Sequence, residues 1–64
     1  MKSRDVIKAL EAEGWYEVRV TGSHHHFRHP QRIEIVTVPH PRADLPIGTL
    51  KAIEKQSGMS FRRH

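Results

Sequence analysis

Residues 15–38 hold three short runs of strand-like sequence separated by two tight turns, and this pattern limits the fold more than any other feature of the chain. Trp15 to Val20 (WYEVRV) alternates apolar and polar residues, with Tyr16, Val18 and Val20 on one face and Trp15, Glu17 and Arg19 on the other, as in a half-buried strand. Thr21-Gly22-Ser23 follows as a turn, with Gly22 free to take a positive φ and shape it. His24 to Arg28 is the return strand. His29-Pro30-Gln31-Arg32 turns the chain again, with proline at the second turn position where its fixed φ is an advantage. Ile33 to Val38 (IEIVTV) is the third strand. Residues 15–38 therefore read as an antiparallel meander.

Helical patterns flank it. Ser3 can cap a helix over 3–13 whose apolar positions are Val6, Ile7 and Leu10, with Asp5 in the first turn and Gly14 ending it. After the proline-rich connection Pro39-His40-Pro41-Arg42-Ala43-Asp44-Leu45-Pro46, a second helix runs from Thr49 to Ser57 with Leu50 and Ile53 inward and Gly58 as its stop. Met59 and Phe61 fold back onto the core, and Arg62-Arg63-His64 reads as a frayed tail. The order is α-β-β-β-α in a single α+β domain over 1–58 with a short tail over 59–64. Two helices can cover one face of a three-stranded antiparallel sheet; the other face must meet solvent or a partner. A chain of 64 residues has too little core for a deep active-site cavity, which suits a large substrate better than a small one.

Composition narrows the function classes. There is no cysteine, which rules out disulfides and thiolate metal sites and fits a reducing compartment. No apolar run approaches the roughly 20 residues that span a bilayer, and the N-terminus leads into an amphipathic segment, so the expectation is a cytoplasmic protein with no membrane partner. Eleven Lys and Arg against seven Asp and Glu give +4, with six histidines in addition. The stretch from Arg28 to Arg42 carries one acid against three arginines and two histidines, the charge pattern of a protein that meets a polyanion such as RNA.

The chemistry concentrates in TGSHHHFRHP, residues 21–30. Side chains at 24, 26 and 28 point one way from a strand and those at 25, 27 and 29 the other. Phe27 is the core residue, packing against Val18 or Val20, so His25 belongs to the helix-covered face in a structural role. His24, His26 and Arg28 then share the open face. Two histidines on one strand face could touch a zinc ion, but such a site needs three or four ligands, Arg28 would repel the dication, and His40 could join only if its loop folded back. No metal and no cofactor are expected. General acid–base chemistry is the alternative: histidine exchanges protons near neutrality, RNA carries its own nucleophile in the 2′-OH, and a neighbouring cation can stabilise charge on the phosphate. Exposed strand histidines can equally be solvated surface. Ser23 is read as shaping the turn or bonding a phosphate oxygen rather than as a nucleophile, since no carboxylate–histidine relay is visible to activate it. Arg19, Arg28 and Lys51 are the candidate phosphate contacts, Lys51 near the start of the second helix, where backbone N–H groups also attract anions. Trp15 could stack on a base, but its place after the first helix favours packing beneath it.

Several short motifs, at matching spacing, resemble the HicA toxin family of small mRNA interferases. They are Ser3 with the first helix, Gly14-Trp15, Val18-Arg19, Gly22-Ser23-His24-His25, Phe27, His29-Pro30, Val36-Thr37-Val38-Pro39-His40-Pro41, Leu45-Pro46, Gly48-Thr49-Leu50, Ile53 and Gly58. The resemblance implies a fold like the double-stranded-RNA-binding domain, metal-independent cleavage of RNA, and neutralisation by a HicB-type antitoxin. It implies that His24, the first histidine after Gly-Ser, is catalytic, as general base toward the 2′-OH or general acid toward the leaving oxygen; His26 is the candidate second group. The chain has Thr21 and Ile47 where many members carry a basic or polar residue, which implies fewer phosphate contacts. The rival reading is a non-catalytic double-stranded-RNA-binding module, which normally places a lysine cluster at the start of its second helix; here only Lys51 and Lys55 are available.

Overall fold

The structure, a computed structural model, describes residues 1–61; the tail expected at Arg62-Arg63-His64 lies outside the described residues. The elements run α1 (Ser3–Ala12), β1 (Tyr16–Thr21), β2 (His24–His29), β3 (Arg32–Pro39) and α2 (Ile47–Ser57). The strands form an antiparallel sheet in the order β1-β2-β3. Val6 and Leu10 of α1, Leu50 and Ile53 of α2, and Phe27, Val36 and Val38 of the sheet join Trp15 and Leu45 in one core. Phe27 pairs with Val36, and His25 with Val38, so these residues share one sheet face, and both helices cover that face. The α+β arrangement with one open sheet face is the one the sequence predicts. Met59 and Phe61 pack against the core as expected.

The turns follow their residues. Thr21 pairs with His24 across the two-residue loop Gly22-Ser23, and Gly22 sits at φ +59°. Gly58 takes the left-handed position after α2 (φ +74°), its N–H bonding the Glu54 carbonyl at 2.8 Å. The boundaries of α2 shift from expectation: the helix begins at Ile47, directly after Pro46, instead of at Thr49. Proline fixes the backbone just ahead of the helix without needing an N–H, and the next residue can already be helical. Lys51 consequently lies in the second turn of α2, beyond the free N–H groups of its start.

Two expectations are corrected. The first concerns β1. Glu17 pairs with Phe27, and Arg19, instead of Val18, pairs with His26: a β-bulge inserts one extra residue between them. The bulge reverses the alternation midway. Tyr16, Val18, Arg19 and Thr21 face the open side, while Glu17 and Val20 face the helix side. Phe27 thus does not pack on Val18, which is 46% exposed on the opposite face. Val20 shares the helix-side face but is equally exposed, because β1 is an edge strand at the margin of the core.

The second concerns Ser3. The N-cap of α1 is Lys2, which makes no side-chain capping bond, and Ser3 is the first helical residue, 1% exposed. Its hydroxyl is used at long range. Oγ accepts the Arg42 N–H at 2.8 Å, and lies 2.7 Å from His40 Nδ1 and 3.2 Å from the Arg42 carbonyl. The Ser3 N–H also reaches that carbonyl, and the Leu45 N–H reaches the Met1 carbonyl. These bonds strap the 40–45 segment along the start of α1.

Two stability measurements follow. Phe27→Ala should cost about 3–5 kcal/mol, which is comparable to everything a core of this size supplies, so circular dichroism at room temperature should report a largely unfolded chain; Ile33→Ala, at a position 87% exposed, should change stability by less than about 0.5 kcal/mol. Ser3→Ala should cost about 1–3 kcal/mol in urea denaturation, because the part-buried Arg42 N–H loses its acceptor; a helix-cap role limited to α1 would leave the 40–45 segment as protected from hydrogen exchange as before, whereas the strap predicts that its protection falls.

Candidate functional site

The open sheet face carries the residues singled out in the sequence. β2 alternates from His24 to Phe27 against both neighbours, its register with β3 shifts between Phe27 and His29, and Arg28 pairs with Tyr16 of β1, so His24, His26 and Arg28 line up on that face, opposite to Phe27. Arg19 joins them from β1, paired with His26, and Ile35 joins from β3. Val18, Arg19, His26, Arg28 and Ile35 surround a shallow cavity of about 330 Å3. Two guanidinium groups, one imidazole and two apolar side chains at one concavity can meet both the charged backbone and the apolar faces of a nucleotide. Arg19 reaches it because of the bulge: without the extra residue, Val18 alone would stand opposite His26 and Arg19 would point toward the helices.

The histidines divide by their partners. His25 Nδ1 lies 2.6 Å from Glu17 Oε1 on the helix-side face, and its ring meets that of His40 edge-on at 4.9 Å between centroids. His26 Nδ1 lies 3.0 Å from Thr37 Oγ1, which orients that ring across to β3. His29 accepts the Gln31 N–H at Nδ1 (3.0 Å), so its proton is on Nε2, which donates to the Glu13 carbonyl at 2.8 Å. That bond closes the turn between α1 and β1, where Gly14 (φ +98°) leaves no room for a Cβ: one would lie 2.9 Å from the His29 ring. His40 is held by Ser3. His24, exposed at the lip of the β1–β2 turn, is the one histidine among the described residues whose ring has no hydrogen-bond partner.

Position at the lip is also fixed from below. His24 pairs with Thr21 on one side and Pro39 on the other, and the His40 N–H donates to the Ser23 carbonyl at 2.8 Å. The Ser3–His40 contact therefore braces the backbone that carries Ser23 and His24. Sequence reasoning placed neither Ser3 nor His40 in this role; the only signal was a serine and a histidine in motifs far apart in the chain. Ser23 itself is exposed, beside Gly22.

Other expected residues are placed apart. Lys51, exposed on α2, is on the far side of the core from the open face, so it does not join Arg19 and Arg28. Trp15 is buried, with its ring 5.2 Å from that of His29, and is a core residue. His40 faces Ser3 and His25, away from the pair His24 and His26, and among the described residues no three His, Asp or Glu side chains converge as a metal ion requires. No helix among the described residues is long and apolar enough to cross a membrane.

No curated protein matches the sequence. The fold matches a solved structure, the HicA3 and HicB3 toxin-antitoxin complex, with 35% identity and a TM-score of 0.80, over 97% of this chain and 100% of the matched chain. Residues 3–59 match the family described as HicA toxin of bacterial toxin-antitoxin. With nearly the whole chain matched and the helix–meander–helix order in common, this protein belongs to the HicA toxin family.

Proposed function

We propose that this protein is a metal-independent endoribonuclease, the toxin of a toxin–antitoxin pair, and that His24 carries the proton transfer. The observation that carries this reading is the freedom of the His24 ring on an exposed, basic sheet face, while the other described histidines are engaged in hydrogen bonds. A general acid or base must be able to reach the proton it moves, and a ring already committed to a protein partner is less available for that task.

The 2′-OH of RNA supplies the nucleophile. Loss of its proton lets the 2′ oxygen attack the adjacent phosphorus; the P–O5′ bond breaks, and the leaving oxygen takes up a proton. The step yields a 2′,3′-cyclic phosphate and a 5′-hydroxyl, and needs no metal and no covalent enzyme intermediate. His24 serves either as the base that accepts the 2′ proton or as the acid that protonates the leaving oxygen. His26, oriented by Thr37 on the same face, is the candidate for the other transfer. Arg19 and Arg28, flanking His26, would stabilise charge on the phosphorane-like transition state. Ser23 and Gly22 form the turn that presents His24, and the hydroxyl of exposed Ser23 would bond a phosphate oxygen. Lys51 contributes to RNA binding only if the strand wraps past the sheet.

The matched relative is named as a complex of HicA3 with HicB3. By that likeness, we assign this chain a HicB-type antitoxin as partner, with the open face as the surface to be blocked. A non-catalytic RNA-binding module would share the steep salt dependence of binding but release no product.

His24→Ala should slow cleavage of purified RNA by about 10²–10⁴-fold, while the circular dichroism spectrum and RNA affinity stay those of the parent; cleavage at the parental rate by that variant would remove His24 from the chemistry. A strong chelator should leave the rate unchanged. Loss of activity that added zinc restores would replace the proposed mechanism with a metal-dependent one.

A further inference from the structure

A second basic concavity lies beyond the hairpin lip, outside the open face. Lys2, Ser3, Arg4, His40, Pro41, Arg42 and Ala43 surround a cavity of about 270 Å3. It exists because the strap between Ser3 and Arg42 holds the 40–43 segment against the first turn of α1, the Ser3 N–H donating to the Arg42 carbonyl and the Arg42 N–H to Ser3 Oγ. Three cationic side chains are brought to one rim, Lys2 and Arg4 from the start of the chain and Arg42 from the 40–43 segment. All three are exposed.

The cations there are uncompensated. Among the described residues, none of Lys2, Arg4 and Arg42 has a carboxylate within ion-pair distance. The nearest acid in sequence to Arg42 is Asp44, and it is already taken: the Met1 ammonium lies 2.7 Å from its Oδ1 and holds its carboxyl below the usual carboxylate range, through a hydrogen bond and through charge. Three positive charges around one concavity, with Asp44 occupied and Asp5, the other acid nearby, outside the cavity's lining, make a site for an anion.

The cavity's place indicates which anion. Its His40–Pro41 wall continues directly from the backbone that braces the proposed catalytic turn: Pro39 pairs with His24, and the His40 N–H is bonded to the Ser23 carbonyl. A polyanion laid across His24 and carried over the Gly22-Ser23 turn would arrive at Lys2, Arg4 and Arg42. We propose that this cavity is a second phosphate subsite, which holds a backbone phosphodiester of the RNA strand flanking the bond cut at His24. This inference rests on the reading of the open face as an RNA-cleaving surface, and it supplies phosphate contacts on the side of the molecule that the open-face arginines do not reach. An acidic peptide could satisfy the same cations, but only an extended polyanion accounts for the cavity's continuity with the His24 turn.

Binding of a single-stranded 2′-O-methyl RNA oligonucleotide, which has no 2′ nucleophile and stays intact, tests it without reference to catalysis. Affinity is measured over a range of salt concentrations for the full chain, for the double variant Arg4→Ala/Arg42→Ala, and for a control with equal charge loss elsewhere, Lys8→Ala/Lys55→Ala. Arg42 contributes to the strap through its backbone, so the first variant keeps that bond, and circular dichroism verifies both folds. The subsite predicts weaker binding by the first variant and a plot of log affinity against log salt that is shallower by about 0.7 for each phosphate no longer neutralised, with the control keeping the parental slope. Equal slopes for variant and control overturn the inference while leaving RNA binding by the open face intact. If the Arg4 and Arg42 changes instead weaken antitoxin binding alone, the cavity takes an acidic peptide and the proposal fails. If the unsubstituted protein does not bind the oligonucleotide, the reading of the open face fails first and takes the subsite with it.

Discussion

The structure depends on burying one face of one small sheet. Phe27, Val36 and Val38 stand on that face under Val6, Leu10, Leu50 and Ile53, and a chain of this length has no third layer to cover the other. Once Phe27 is fixed inward, a period of two in β2 places His24, His26 and Arg28 outward with no further instruction. The packing requirement and the chemical face are thus two consequences of one alternation. The same geometry sets the scale of what can bind: the open side offers a shallow concavity rather than a pocket, which suits an extended chain more than a small metabolite.

How much of this was legible depends on the range of the interactions involved. β2 and β3 were readable because Phe27, Val36 and Val38 sit at alternate positions inside runs bounded by strong turn residues. The histidine faces followed directly. β1 was misread in its first half: Tyr16, Val18 and Val20 make a good alternating stripe toward Phe27 whether or not the strand is bulged, yet Tyr16 and Val18 face the open side and only Val20 the helices. Only the pairing of Arg19 with His26 breaks the tie, and that pairing is a cross-strand fact. The error matters for the site, since the bulge brings Val18 to the open face beside Arg19. Ser3 was misread for a similar reason. A serine ahead of an amphipathic run is a reasonable cap, but its partners are His40 and Arg42, on a segment that arrives only when the sheet has formed.

The histidines show how one residue type is divided between architecture and chemistry. His29 closes the α1–β1 turn, His25 pairs with Glu17, and His40 joins Ser3 to the backbone beneath Ser23. They form the support, and His24 is left free at its edge. In a larger enzyme a catalytic ring is usually oriented by a second side chain. In the role proposed for His24, the backbone of a two-residue hairpin and the braced strand beside it would take that part, because a domain this small offers little else. Membership of the HicA family, on a match that spans residues 3–59, gives this arrangement its context. The proposed role of His24 rests on the residues themselves.

Analysis of the fragment ends most directly tests the central claim that RNA supplies the nucleophile and an imidazole of this chain moves the proton. With purified protein and a defined RNA, the account predicts upstream fragments ending in a 2′,3′-cyclic phosphate and downstream fragments beginning with a 5′-hydroxyl. Fragments with 3′-hydroxyl and 5′-phosphate ends, the products of attack by water, would contradict it.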